Sequence, residues 1–245
     1  MSPLPPPSPA PQLGDLYAQR ARDLATQIGG AAQQGRAVPL SLAFGLADPT
    51  HFPVQDLAAA TAGVLAAHPD AALNYGPPSR QLIEQLVARL QQQGIAAAPD
   101  QVLLSYGSGQ LLALLPQVLV EPGDVVLIEG PSFMVAVRRF ALAGARLVTL
   151  PTDAQGLDVD ALEVCLRDLA RAGMRPKFLY TIPTFHNPLG VTLPLDRRQR
   201  LVALAAHYGL LVVEDDAYAD LRFGGDPLPP LAALERDGWV LRLGT

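Results

Sequence analysis

Residues 183–190 read Pro-Thr-Phe-His-Asn-Pro-Leu-Gly, and residues 212–218 read Val-Val-Glu-Asp-Asp-Ala-Tyr. They place an amide (Asn187), a carboxylate (Asp215) and a phenol (Tyr218) just after two short apolar runs, Leu179–Pro183 and Leu210–Val213. Apolar runs that end in polar clusters are expected of buried parallel strands whose C-terminal ends open on a crevice. The two clusters are therefore expected to face one pocket, with a donor and acceptor set suited to a bound cofactor. A third cluster, Gly107-Ser108-Gly109, follows an apolar run and opens a helical pattern. Backbone N–H groups and a hydroxyl at a positive helix N-terminus suit a phosphate, although the same residues also read as a tight loop. A dinucleotide fingerprint is excluded: Gly107-x-Gly109 would need Gly or Ala at position 112, where Leu112 stands.

Each of these residues has a plainer reading. Glu214, Asp215 and Asp216 could form a solvated acidic loop, but alternation along a strand points Asp215 away from both neighbours. Phe133, after Gly-Pro-Ser, could be core at a helix start, Asn187 a turn former before Pro188, and Tyr75 an ordinary turn residue. The single Cys165 sits in a helical pattern, allows no internal disulfide and reads as a small core residue in a reducing cytoplasm.

The elements that must position these groups are legible from periodicity. Six prolines between Pro3 and Pro11 mark residues 1–12 as an extended tail. Helical spacing follows over Leu16–Ile28, an apolar segment over Val38–Leu46, and helices over Asp56–Ala67 and Gln81–Gln93, the last closed by Gly94. From Gln101 strands and helices alternate. Strands are predicted at Val102–Leu104, Val125–Ile128, Arg146–Leu150, Phe178–Ile182, Leu210–Val213 and Val240–Leu243. Helices are predicted at Leu111–Val120, Phe133–Ala143, Val159–Ala172 and Asp196–Tyr208. Short loops between alternating elements imply right-handed crossovers, hence an α/β, doubly wound, mostly parallel sheet. A chain of 245 residues that is 49% apolar can bury a large core. With a net charge of −5 and scattered Lys and Arg there is no basic stripe for nucleic acid, and neither a signal peptide nor a membrane span is read.

In the order of its motifs the chain resembles the fold-type I pyridoxal-phosphate aminotransferases of class I/II, near the 2-aminoadipate and kynurenine aminotransferases. The landmarks are Phe44-Gly45-Leu46 through Phe52-Pro53, Tyr75-Gly76-Pro77, Tyr106 to Gln110, Glu121 to Asp124, Gly130 to Phe133, Asn187 to Gly190, Glu214 to Tyr218, and Leu243-Gly244-Thr245. The resemblance implies a large cofactor domain over 71–245, incomplete at its C-terminus. Residues 13–70 would be the start of a small domain with a dimer and substrate arm. It implies pyridoxal 5'-phosphate as cofactor and Asp215 as the partner of the pyridine nitrogen. Asn187 and Tyr218 would take the ring hydroxyl, Phe133 the ring face, and Gly107, Ser108, Gly109 and Thr245 the phosphate. Tyr75 would reach a neighbouring subunit's phosphate in a homodimer, and Gly45 would lie near the substrate carboxylate. Substrates would be an amino acid and a 2-oxo acid, and no metal is implied.

Departures accompany the match. The family's Schiff-base lysine would fall at the third residue after Thr245, and the only lysine in the sequence, Lys177, lies before the strand leading to Asn187. The chain by itself is therefore expected to be inactive. Ser79, Leu82-Ile83 and Leu189 also replace usual family residues. Two other readings stay open: an effector-sensing domain of a MocR-type regulator, and an inactive truncated paralogue.

Overall fold

The computed structural model describes Ala18 and residues 45–244. The tail 1–12, the helix expected over Leu16–Ile28, most of the segment Val38–Leu46, and Thr245 lie outside the described residues. The chain divides into two units, Met1–Gly76 and Pro77–Thr245. In the first, Asp48 caps the short 3-10 turn Pro49–His51 by accepting from Thr50 N–H at 2.9 Å. The helix Val54–Ala67 follows, then the five-residue helix Pro69–Leu73. The break falls at His68 because a residue before proline is pushed out of the helical region.

The second unit carries six strands: β1 (Val125–Gly130), β2 (Arg146–Asp153), β3 (Gly156–Leu157), β4 (Phe178–Thr181), β5 (Leu211–Asp216) and β6 (Val240–Gly244). Their order across the sheet is β3-β2-β1-β4-β5-β6, and every neighbouring pair is parallel except β2 with β3. The strands read as continuous apolar runs because both sheet faces are covered. Val126, Ile128, Phe178, Tyr180 and Val213 pack with Leu112, Ala136 and Phe140, from the helices Ser108–Leu119 and Met134–Leu142. Val125, Leu127, Leu179 and Val212 pack on the opposite face with Leu162, Leu166, Leu201 and Ala205, from the helices Val159–Arg171 and Leu195–Tyr208. The sheet is thus doubly wound, as the alternation predicts.

From β1 the chain first moves outward to β2 and then returns across β1 to β4, β5 and β6. Strand order therefore reverses between β1 and β4, which is where open α/β sheets bind ligands. One expectation fails: Val102–Leu104 forms no strand. Val102 has extended backbone angles, but the segment has no ladder partner among the described residues and Leu103 is exposed. Propensity without a neighbouring edge makes extended chain, not sheet. The helix Arg80–Gln92 agrees closely with expectation, with Ser79 Oγ accepting from Leu82 N–H at its start and Gly94 at φ +81° just past its end.

Candidate active site

Strand alternation sorts the three acids at the end of β5. Glu214 and Asp216 share a face with Arg242, which lies opposite Glu214 on β6. Glu214 accepts from Leu231 N–H at 2.7 Å and Ala232 N–H at 3.0 Å, so it anchors the short helix Leu231–Leu234. Burial pushes its carboxyl up and these two bonds oppose that. Arg242 Nη2 donates to Asp216 Oδ2 at 2.5 Å. Glu214 is thus committed to the fold through both oxygens and Asp216 through one, its Oδ1 being buried without a partner, and none of the three sits in a solvated loop.

Asp215 points the other way. It is 4% exposed, its Oδ2 accepts from Tyr180 O–H at 2.5 Å, and its Oδ1 has no partner. Burial lifts its carboxyl above the usual range, the Tyr180 bond opposes this, and the nearby Asp216 charge adds to it. The Tyr180 phenol is pushed up by burial and by the Asp215 charge, so it remains a proton donor at all working pH values. A buried carboxylate with one oxygen held and one orphaned is arranged for a donor brought by something else. Tyr180→Phe should accordingly move the Asp215 titration midpoint still higher, as read from its side-chain carboxyl 13C shift. An unchanged or lower midpoint would show that the phenol is not what holds the carboxylate.

The loop after β4 brings Asn187 alongside. Its Nδ2 donates to the Tyr218 oxygen at 3.3 Å, and Tyr218 stands at the start of the turn Ala219–Leu221. The Asn187–Tyr218 and Tyr180–Asp215 pairs thus lie on the segments that end and follow β4 and β5, at the C-terminal edge of the sheet. The loop is pinned by Arg198, which is fully buried on the helix Leu195–Tyr208. Arg198 donates to Leu193 O at 2.8 Å, Pro229 O at 3.0 Å, Pro183 O at 2.8 Å and Thr184 Oγ1 at 2.8 Å.

The face that Asp215 shares with Val213 also carries the helix Ser108–Leu119 and, partly buried, Phe133. Gly107 caps that helix at φ +76°, a conformation a side chain rarely adopts. A Cβ at Gly107 or Gly109 would meet no atom within 4 Å, so the space beside both Cα atoms at this helix start is open. Gly45 and Tyr75 belong to the first unit, whereas the residues described above belong to the second. Lys177 lies at the opposite end of the sheet, before β4, with its Nζ 3.2 Å from Asp124 Oδ2.

Tyr180 and Arg198 escape a reading of motifs. Tyr180 left one signal, a phenol inside an otherwise apolar strand, which needs a partner when buried.

The family model "Aminotransferase class I and II" matches residues 41–245. An aromatic-amino-acid aminotransferase of Thermococcus litoralis is 37% identical over 211 residues, 84% of this chain and 50% of that protein. The 2-aminoadipate transaminase of Thermus thermophilus is 41% identical over 199 residues, 81% of this chain and 48% of its own length. The structure of Pyrococcus horikoshii kynurenine aminotransferase, solved in complex with PMP, superposes with a TM-score of 0.80 at 32% identity, over 95% of this chain and 59% of that one. The HTH-type transcriptional regulator YdcR of Escherichia coli is 33% identical over 225 residues, 89% of this chain and 47% of the regulator. The chain thus spans about half the length of the curated relatives it matches. It belongs to the class I and II aminotransferases.

Proposed function

We propose that the protein is a pyridoxal-phosphate-dependent aminotransferase that moves an amino group between an amino acid and a 2-oxo acid. The observation that carries this reading is the orphaned Oδ1 of Asp215, a buried acceptor on the face shared with Phe133 and an open helix N-terminus. When bound, pyridoxal phosphate supplies a protonated ring that takes up the electron pair left as a substrate's α-proton departs. Asp215 Oδ1 holds the proton of the ring nitrogen, and Tyr180 keeps the carboxylate turned toward it. Asn187 and Tyr218 hold the ring hydroxyl oxygen. The first-turn N–H groups and hydroxyl of Gly107, Ser108 and Gly109, with Thr245, hold the phosphate, and Phe133 covers one face of the ring. Tyr75 serves the phosphate of a second subunit in a homodimer. Exposed Tyr106, Val118 and Met134 give that dimer apolar surface to bury. No helix among the described residues is long and apolar enough to cross a membrane, and we assign the protein to the cytoplasm.

The test uses the full-length protein with added pyridoxal phosphate. A change in the cofactor's absorption spectrum on binding, and conversion of an amino acid to its 2-oxo acid with a 2-oxo acid acceptor, are expected. Saturating cofactor with no bound species and no turnover over a panel of amino acids would refute the reading. One observation favours a second reading, an effector-sensing regulator: the similarity to YdcR. It predicts cofactor binding and binding to promoter DNA with no amino transfer, which the same experiment separates.

Residues 1–245, taken without any further residues, make a separate prediction. Lys177 is the only lysine and lies at the wrong edge of the sheet. Cofactor held by the other residues should therefore leave no borohydride-fixed adduct, and the chain should not turn over. Mass spectrometry that found a stoichiometric adduct on Lys177, together with amino transfer, would overturn the assignment of the site.

A further inference from the structure

The proposed chemistry leaves one buried carboxylate without a task. Glu129 ends β1 at the point where strand order reverses, and it is 1% exposed. A leucine there would avoid the desolvation that a carboxylate suffers. The charge is offset by two hydrogen bonds and by one close imidazole, whose Nε2 makes no aligned hydrogen bond. Thr181 O–H reaches Oε1 at 3.0 Å, Ile182 N–H reaches Oε2 at 2.9 Å, and His186 Nε2 lies 3.0 Å from Oε2. All three belong to residues 181–186, the stretch that carries the chain from β4 to Asn187. Glu129 itself cannot drift, because the next residue, Gly130, lies so close to Thr149 that a Cβ would come within 2.2 Å of Cγ2.

The imidazole of His186 connects this anchor to the loop. Leu189 N–H points at Nδ1 at 3.4 Å, so Nδ1 acts as the acceptor and the ring proton sits on Nε2, which lies 3.0 Å from Glu129 Oε2 without an aligned hydrogen bond. The main chain of the same residue is held as well: His186 N–H donates to Val191 O at 2.8 Å, and Gly190 N–H donates to His186 O at 2.6 Å. Asn187 lies inside the turn so defined.

We propose that Glu129 is a positioning residue for Asn187, acting through His186: it fixes the imidazole's tautomer and orientation, and the ring in turn fixes the turn that aims the Asn187 amide at Tyr218. The functional part of this inference rests on the reading of Asn187 as a partner of the cofactor's ring hydroxyl. Glutamine can reproduce the arrangement. Its carbonyl oxygen would accept from Ile182 N–H and His186 Nε2–H, and its amide would donate to Thr181 Oγ1. Leucine reproduces none of it.

The experiment compares Glu129→Gln and Glu129→Leu in the full-length protein. It records the ring 15N shifts of His186 without cofactor and the affinity for pyridoxal phosphate by absorbance titration. Wild type and the glutamine variant should show the Nε2–H tautomer, and the leucine variant a mixture. The leucine variant should lose on the order of tenfold in affinity, the worth of one well-placed hydrogen bond, and the glutamine variant about twofold at most. A leucine variant with the wild-type tautomer or affinity would overturn the proposal, and so would a glutamine variant as impaired as leucine. Should the leucine variant not fold, Glu129→Asp replaces it. It keeps the charge but withdraws it by one methylene, and it should lose both tautomer and affinity, whereas a role for charge alone would preserve both. A wild-type protein that binds no pyridoxal phosphate would refute the proposed function instead. The side-chain amide resonance of Asn187, which should move in the leucine variant and not in the glutamine variant, then decides the positioning role.

Discussion

Asp215→Asn in the full-length protein is expected to lower kcat by about three orders of magnitude while leaving the cofactor-free fold at least as stable as wild type at neutral pH. Both halves follow from one geometry. Asp215 is buried, its Oδ2 is held by Tyr180 and its Oδ1 is unpaired, so the ionised carboxylate has a desolvation cost that its surroundings do not fully offset. A carboxyl raised by burial binds its proton more tightly folded than unfolded. Its contribution to stability is therefore present below the ordinary carboxylate range and is lost as pH rises through the raised value. Asparagine mimics the protonated form at every pH, so its stability advantage should grow as pH climbs from that range to neutrality. Catalysis reads the opposite sign, because only the anion can hold the proton of a ring nitrogen. Asp216→Asn should show the reverse pattern. It removes the negative charge that pairs with Arg242, whose side chain is only 15% exposed, while leaving an amide oxygen to accept, and should cost about 2 kcal/mol of stability with little effect on kcat. Thermal melts from pH 4 to 8 and steady-state kinetics on both variants decide the matter. Equal losses of kcat would reassign the ring-nitrogen partner.

The difference between these adjacent acids could be read from the sequence because it depends on a period of two. Val212 and Val213 face opposite cores, and Glu214 to Asp216 continue the alternation without a bulge. The parallel sheet was legible for a related reason: strands covered on both faces are apolar at nearly every position, as Val125–Ile128 is throughout and Phe178–Ile182 is but for the Tyr180 phenol and Thr181. Val102–Leu104 shows the limit of that argument, since a strand exists only with a partner and three residues do not say where one lies. The support for the site was harder to see. Tyr180 and Asp215 are 35 residues apart, and Glu129 and Thr181 are 52 apart. No local pattern announces contacts made by strand register. Arg198 was least legible of all, because an arginine beside Arg197 and Arg200 reads as part of a solvated basic face. Only the helix phase, with Arg198, Leu201 and Ala205 buried together, turns it inward.

That buried arginine carries the largest expected effect on stability. Arg198→Leu should destabilise the protein by at least about 3 kcal/mol, because it leaves the carbonyls of Pro183, Leu193 and Pro229 and the Thr184 hydroxyl without their donor in a dry interior. The guanidinium has no carboxylate bonded to it. Burial lowers its pKa, while the carbonyl dipoles and the more distant Glu214 and Asp216 favour its charge. Arg198→Lys keeps the charge but replaces a planar fork with a single ammonium, which can reach only some of four acceptors. It should therefore retain part of the loss and not rescue it fully. Two residues along, Arg200 pairs with Asp160 and Glu163 while half exposed, so Arg200→Ala should cost under about 1 kcal/mol. Urea midpoints for the three variants test the ranking, and equal values for Arg198→Leu and Arg200→Ala would refute it. Hydrogen exchange adds the link to function. Because Arg198 ties the stretch before Asn187 to Leu193 and Pro229, the amides of residues 185–193 should lose protection in Arg198→Lys before the strands do. Cofactor affinity should fall with them.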